Sequence, residues 1–285
     1  MKRIVILHHE HQPLHDAYLI NALRVEWQKR GLTVLCVNGI RRRHDADLVI
    51  PHIDLTRTPA GFARYIQLLP TAINRQVFDI SKRRFSTNLL TGKEKYRGPV
   101  IVKTDKNAGG WPEYLLFKLR HPIIARLWRK IFLTAEKALG QFACRGQLDR
   151  YPVYESLEEV PAGVFQNRAL VIEKFLPERE GETYFIRHYL FLGDRIRSVR
   201  VAGLEPFLKR AACTPVDEGC PVPEEVISLR RELGLDYGKI DYTLHEGRAA
   251  ILDVNRTPFG PGTPEATART VGDLADGIWS LLPKS

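Results

Sequence analysis

The chain is poor in the residues that staple or span. Its four cysteines, Cys36, Cys144, Cys213 and Cys220, are scattered and form no Cys-x-x-Cys. That indicates neither a disulfide framework nor a zinc site and leaves a reduced cytoplasm as the expected compartment. No apolar run approaches the ~20 residues that cross a bilayer. The opening MKRIVILHHEHQ holds only a four-residue apolar run before its histidines, too short for a secretory signal and readable as a first strand. Neither a Walker loop nor Gly-x-Gly-x-x-Gly occurs, no Ser-His-Asp or Cys-His arrangement stands out, and there is no internal repeat or low-complexity segment. What is present is 285 residues of ordinary soluble composition with a formal net charge of +10. This suffices for a substantial core and one to three domains. The charge favours anionic partners without choosing among nucleotides, phosphorylated substrates, nucleic acid and acidic membranes.

Short buried strands are expected at 3–7, 33–37 and 48–50, with an amphipathic helix from Leu14 to Lys29 between the first two, a βαβ start that implies a parallel sheet. A helix follows from Pro59 to Leu69, then a small strand at Val77 and a basic helix from Lys82 to Leu90, with Gly98-Pro99 as punctuation. Strands are expected at 99–103, 151–155, 169–175, 183–192 and 195–201, a helix at 224–233, a hairpin from Lys239, and a last helix from Pro264 to Leu282. The second half mixes antiparallel hairpins with helices, an α+β pattern distinct from the α/β start.

In the hairpin KIDYTLHEGRAAILDVNRTP, a three-residue Glu246-Gly247-Arg248 loop would pair His245 with Ala249, Thr243 with Ile251 and Asp241 with Asp253, with Asn255 next on that face. A two-residue loop would turn Asp253 away. Opposed acids repel, so something positive is expected between them. Two carboxylates and an amide oxygen suit Mg²⁺ or Mn²⁺ better than zinc; a wet sheet face with acids at its rim is the alternative. The two-residue Gly193-Asp194 turn places Arg187 opposite Arg200, where an anion would relieve the repulsion unless both side chains extend into solvent. In VIVKTDKNAGG, Lys103 ends a buried strand before a small-residue loop whose backbone N–H groups can approach phosphate. Lys82 opens a helix and is a second phosphate lysine or a solvated one.

The order of these pieces resembles the ATP-grasp superfamily, which includes D-alanine:D-alanine ligase, glutathione synthetase and ribosomal-protein glutamate ligases. The resemblance spans essentially the whole chain and rests most on VIVK and IDY…ILDVNRTP. It implies an N-terminal α/β domain (1–95) and two α+β subdomains (96–168 and 169–285) enclosing ATP. It further implies that Lys82 and Lys103 contact phosphates, that the loop from Asn107 through Gly109 and Gly110 closes over them, and that Glu173, Lys174, Phe175 and Leu176 read adenine mainly through backbone groups. Glu182, or else Glu180, would bind ribose. Asp241, Asp253 and Asn255 would hold Mg²⁺. The family usually has Glu where Asp253 stands, and Trp111 is bulky for a mobile lid.

The implied reaction is phosphorylation of a carboxylate by ATP and capture of the acyl phosphate by an amine or thiol, with Arg187, Arg200 and Lys103 as catalytic candidates. The partner is then an anionic small molecule or a peptide. A small-molecule kinase is the first rival. A nucleotide- or nucleic-acid-binding module without turnover is the second, drawing on Arg41-Arg42-Arg43, Lys82-Arg83-Arg84 and KLRHPIIARLWRK. A homodimer is the commonest soluble assembly. His8, His9, His11 and His15 match no zinc spacing and are expected to line the substrate end of the cleft.

Overall fold

The computed structural model describes residues 2–12, 14–41, 44–125, 151–205 and 214–283. Arg42, Arg43 and the part of the basic stretch beyond Ala125 lie outside them. Among the described residues no helix is long and apolar enough to cross a membrane.

The chain opens with the expected parallel sheet, order β2-β1-β3, from β1 (Arg3–His8), β2 (Thr33–Asn38) and β3 (Leu48–His52). Helix α1 (Leu19–Lys29) crosses between β1 and β2, and α2 (Ala60–Gln67) follows β3. α1 starts later than Leu14, because Tyr18 bridges to Phe259 and the Leu19 N–H donates to the Pro258 carbonyl at 3.0 Å. The start of the helix is thereby tied to the far end of the sequence.

The central sheet, order β4-β7-β5-β6, is antiparallel at its paired strands. Its pieces are α3 (Lys82–Phe85), β4 (Leu89–Leu90), β5 (Val100–Thr104), α4 (Trp111–Arg120), β6 (Val153–Tyr154), α5 (Ala162–Gln166) and β7 (Leu170–Lys174). The basic helix expected to reach Leu90 stops at Phe85: Ser86 turns extended and Leu89–Leu90 pairs with Ile172 and Glu173. No strand forms at Val77, whose neighbour Asp79 makes only an isolated bridge with Arg57. A division between 168 and 169 would part β7 from β5, yet the two are laddered and Val100, Val102, Leu170 and Ile172 share one apolar cluster.

The third sheet runs β11-β10-β9-β12-β13, with β8 paired to β9. It comprises β8 (Glu178–Glu180), β9 (Thr183–Leu192), β10 (Arg195–Gly203), β11 (Thr214–Glu218), β12 (Tyr237–His245) and β13 (Arg248–Asn255). Helix α6 (Glu224–Leu233) precedes β12, and α7 (Pro264–Leu274) and α8 (Ile278–Leu281) end the chain. One helix was expected there; a 3-10 turn at Ala275–Gly277 divides it. A Cβ at Gly277 would lie 1.8 Å from the Leu192 carbonyl oxygen, so only glycine lets this turn sit on the β9–β10 hairpin. The indole of Trp27 donates to the Ala275 carbonyl at 2.9 Å. Ile4, Ile6, Leu23 and Trp27 share one core with Leu190, Leu192, Tyr237, Leu274 and Ile278. The first and third sheets are therefore fused, while the central sheet keeps an apolar cluster of its own.

Candidate active site

Asp241 stands opposite Asp253, but by a different route from the three-residue loop expected. The β12–β13 turn is two residues, Glu246 and Gly247, with φ of 51° and 78°, and it pairs His245 with Arg248 and Thr243 with Ala250. That turn alone would send Asp253 to the other face. A β-bulge leaves Leu252 without an opposite residue, and the extra residue restores Asp241 opposite Asp253.

The positive charges expected between these acids are side chains of the protein. Lys239 Nζ lies 2.9 Å and His188 Nδ1 2.7 Å from the Asp241 carboxylate. Burial works against the charge of Asp241, but Lys239 and His188 outweigh it and hold its pKa well below the usual carboxylate range. Lys82 Nζ reaches Asp253 at 3.5 Å and donates to the Lys106 carbonyl at 2.9 Å. Burial pushes the Asp253 pKa up; Lys82 pulls it down and Asp241 pushes it up again, for a net rise. Burial lowers the Lys82 pKa, but its anionic neighbours, led by Asp253, raise it overall.

Ile80 and Phe85 on either side of Lys82 pack into the third sheet's core, while the Lys82 N–H donates to the Asp105 carbonyl just past β5, so the Lys82–Asp253 contact lies where α3 joins the third sheet to the central one. Lys103 is close enough to act on Asp253 electrostatically and lies 2.7 Å from Glu173 across the β5–β7 ladder, with both side chains buried. Two acceptors there have no hydrogen-bond partner among the described residues: Glu173 Oε1 and Asn107 Oδ1. Tyr151, which sequence reasoning missed, interacts electrostatically with Lys82, Asp253 and Glu173, and burial raises its pKa. The loop after β5 is built from three successive left-handed residues, Ala108, Gly109 and Gly110, at φ of 46°, 64° and 81°. At the β7 exit, Lys174 N–H donates to Asn88 O at 2.9 Å, Phe175 N–H to Pro99 O at 2.8 Å, and Leu176 O accepts from Thr243 at 2.8 Å. The Leu176 N–H is left without an acceptor among the described residues.

Asn255 Oδ1 accepts the Thr257 N–H at 2.8 Å, an Asx turn that fixes the amide beside Asp253. Thr257 Oγ1 is 2.8 Å from Asp54, whose other oxygen takes the Tyr18 hydroxyl at 2.5 Å. A hydrogen-bonded chain thus runs from α1 to Asn255. Among the described residues no three His, Cys, Asp or Glu side chains converge as metal ligands. The two carboxylates and Asn255 Oδ1 nevertheless fit a hard divalent cation that brings its remaining oxygens from phosphates and water.

Arg187 does stand opposite Arg200. Glu178 is the anion between them: it accepts from Arg187 Nε at 2.9 Å and Nη2 at 2.8 Å, and from Arg200 Nε at 2.9 Å. Glu180 also pairs with Arg200. His188, the residue after Arg187, pairs with Asp241, and successive residues of a strand point to opposite faces. The arginine pair therefore lies on the face of the sheet opposite Asp241 and Asp253, and the structure does not bring the two pairs to one ligand. Glu182 also stands apart, its side chain 90% exposed and paired with Arg179 at 2.8 Å. Of the residues missed, Lys239 was findable, since it precedes Asp241 by two and shares its face; His188 required the β9–β12 pairing.

No family model and no curated protein matches this sequence. Solved structures do. A RimK domain protein ATP-grasp from Sphaerobacter thermophilus is 13% identical over 97% of this chain and 99% of its own, at a TM-score of 0.51. A Chryseobacterium gregarium RiPP-associated ATP-grasp ligase, in complex with ADP and a leader and core peptide, is 12% identical over 100% and 98%, also at 0.51. The ATP-grasp ligase PsnB, complexed with a phosphomimetic variant of its minimal precursor, Mg and ADP, is 11% identical over 98% of both chains at 0.55.

Proposed function

We propose that this chain, which has the ATP-grasp fold, is an ATP-dependent ligase that joins a carboxylate to an amine through an acyl phosphate, releasing ADP and phosphate. The observation that carries the reading is the contact of Lys82 with Asp253, beside the buried Lys103–Glu173 pair. In the proposal Lys82 and Lys103 meet the phosphates and the Asn107–Gly110 loop covers them. The unused Leu176 N–H and Glu173 Oε1 supply one donor and one acceptor for an adenine edge. Asp241, Asp253 and Asn255 would hold Mg²⁺ or Mn²⁺, whose chemistry there would be neutralisation of phosphate charge. A carboxylate is already nucleophilic, so in its phosphorylation the protein's work is placement and charge compensation, which Lys82 and Lys103 perform without a general base. Arg187 and Arg200 take no part, because their side of the sheet is the other one.

The similar structures include one with a leader and core peptide and one with a minimal precursor, so peptide carboxylates and amines belong among the candidate substrates. The test is ADP release over pooled carboxylic acids, peptides and amines, with mass spectrometry of the product. An amide with free phosphate supports the ligase. A phosphorylated alcohol would make the chain a kinase, and absent nucleotide binding with absent turnover would sink both.

A further inference from the structure

A cavity of about 400 Å³ opens between the β3–α2 loop, α4 and the segment entering β7. None of Lys82, Lys103, Glu173, Asp241 or Asp253 lines it. Its charges do not balance. Of its two acids, Asp105 accepts the Arg83 N–H at 2.9 Å and sits 3.5 Å from the Arg83 guanidinium, and Glu113 accepts the Thr56 N–H at 2.8 Å. Arg57 is paired with Asp79 at 3.0 Å. Lys106, Arg120 and Arg168 remain, and among the described residues none of the three has a carboxylate partner.

Arg120 is held in place without being neutralised. Its Nη2 lies 3.2 Å from Nε2 of His9, which is buried at 1% exposure and stacked on Phe62. The His11 N–H donates to His9 Nδ1 at 3.1 Å, so the uncharged ring carries its proton on Nε2 and touches the Arg120 guanidinium without accepting from it. Burial lowers the His9 pKa, which keeps the ring uncharged at neutral pH. A buried imidazole packed against the guanidinium at the cavity wall gives one member of the His8–His15 cluster a structural task. Leu55, Leu116 and Phe117 form the apolar wall beside the cations.

We infer that this cavity binds an organic acid, its carboxylate or phosphate held by Arg120, Arg168 and Lys106 and its apolar body against Leu55, Leu116 and Phe117. Guanidinium groups suit either anion, and a cavity with cations at one end and hydrocarbon at the other selects against neutral analogues. Binding here is independent of the ligase reading, since it is measured without nucleotide.

The experiment titrates the full chain, in the absence of ATP, with 3-phenylpropionate, phenyl phosphate and the uncharged 3-phenylpropanamide, following ligand signals by saturation-transfer NMR. Either anion, or both, should bind while the amide does not; which anion binds tighter identifies the acid group. Arg120→Gln and Arg168→Gln should each weaken the anion about tenfold or more. His9→Leu should weaken it less, through loss of orientation. An excess of a non-hydrolysable ATP analogue should leave the anion bound. Equal binding of the amide, undiminished binding in both arginine variants, or displacement by the nucleotide analogue would each overturn the proposal.

Discussion

The Asn107 backbone N–H donates to the Thr56 hydroxyl at 2.9 Å, joining the phosphate-loop candidate to the segment after β3. Both residues are buried, and the Thr56 N–H donates in turn to Glu113 at the start of α4. Thr56, after β3, thus grips the chain on both sides of the Asn107–Gly110 turn. Thr56→Val keeps the shape and removes the acceptor. Stability should fall by ~1–3 kcal/mol, the cost of an unsatisfied buried donor. Hydrogen exchange at Asn107 should accelerate; unchanged exchange would mean that the grip is incidental.

Lys103 and Glu173 offer a separation of structural from ligand roles. Lys103→Met strands a buried carboxylate and should cost ~3–5 kcal/mol in denaturant unfolding. Lys103→Met with Glu173→Leu, which replaces the pair by hydrocarbon, should recover most of that loss. ATP affinity should stay low in both. Recovery of affinity along with stability would show that Lys103 matters only as a partner of Glu173.

For Glu178 the pH direction follows from its neighbours. Burial raises its pKa, but Arg187 and Arg200 outweigh burial and leave it below its ordinary 4.5. A depressed carboxyl contributes stability above its unfolded value and loses it as the pH falls through the lower folded value. Wild-type unfolding free energy should therefore drop below about pH 4.5 more steeply than that of Glu178→Gln. At pH 7 the variant should be less stable by ~3 kcal/mol, with two arginines left facing each other. Its ATP affinity should match wild type, because Glu178 and the acid pair occupy opposite faces.

Asp253 separates metal from lysine. With Mg²⁺ present, Asp253→Asn should weaken ADP binding in calorimetry by about tenfold or more. In EDTA the gap between variant and wild type should nearly close. A gap of the same size in EDTA would assign Asp253 to Lys82 alone.

Most strand positions and the two hairpins were legible because alternation, short turns and apolar runs are local signals. Arg187 opposite Arg200 follows from the Gly193-Asp194 turn, and the structure repeats it. What lies between those arginines was not legible, since Glu178 arrives on β8, a strand of three residues with no pattern of its own. Asp241 opposite Asp253 was reached through two errors that cancel: the turn is one residue shorter than expected, and the bulge at Leu252 adds the residue back. Bulges leave no periodic signature, so parity counting cannot see them. The segregation of acids and arginines to opposite faces was available from the parity of Arg187 and His188, but only once β9 was known to pair with β12.

The bond from the Trp27 indole to the Ala275 carbonyl spans 248 positions of sequence. On a ribosome adding about 5–20 residues per second, roughly 12–50 s separate the emergence of those two partners. Through that interval the core that α1 and the first sheet share with the last two helices stays open on that side, exposed to chaperones and to neighbouring nascent chains. The central sheet, whose cluster closes within its own stretch of sequence, can mature in the meantime. Vectorial synthesis therefore completes the middle of this molecule before its beginning.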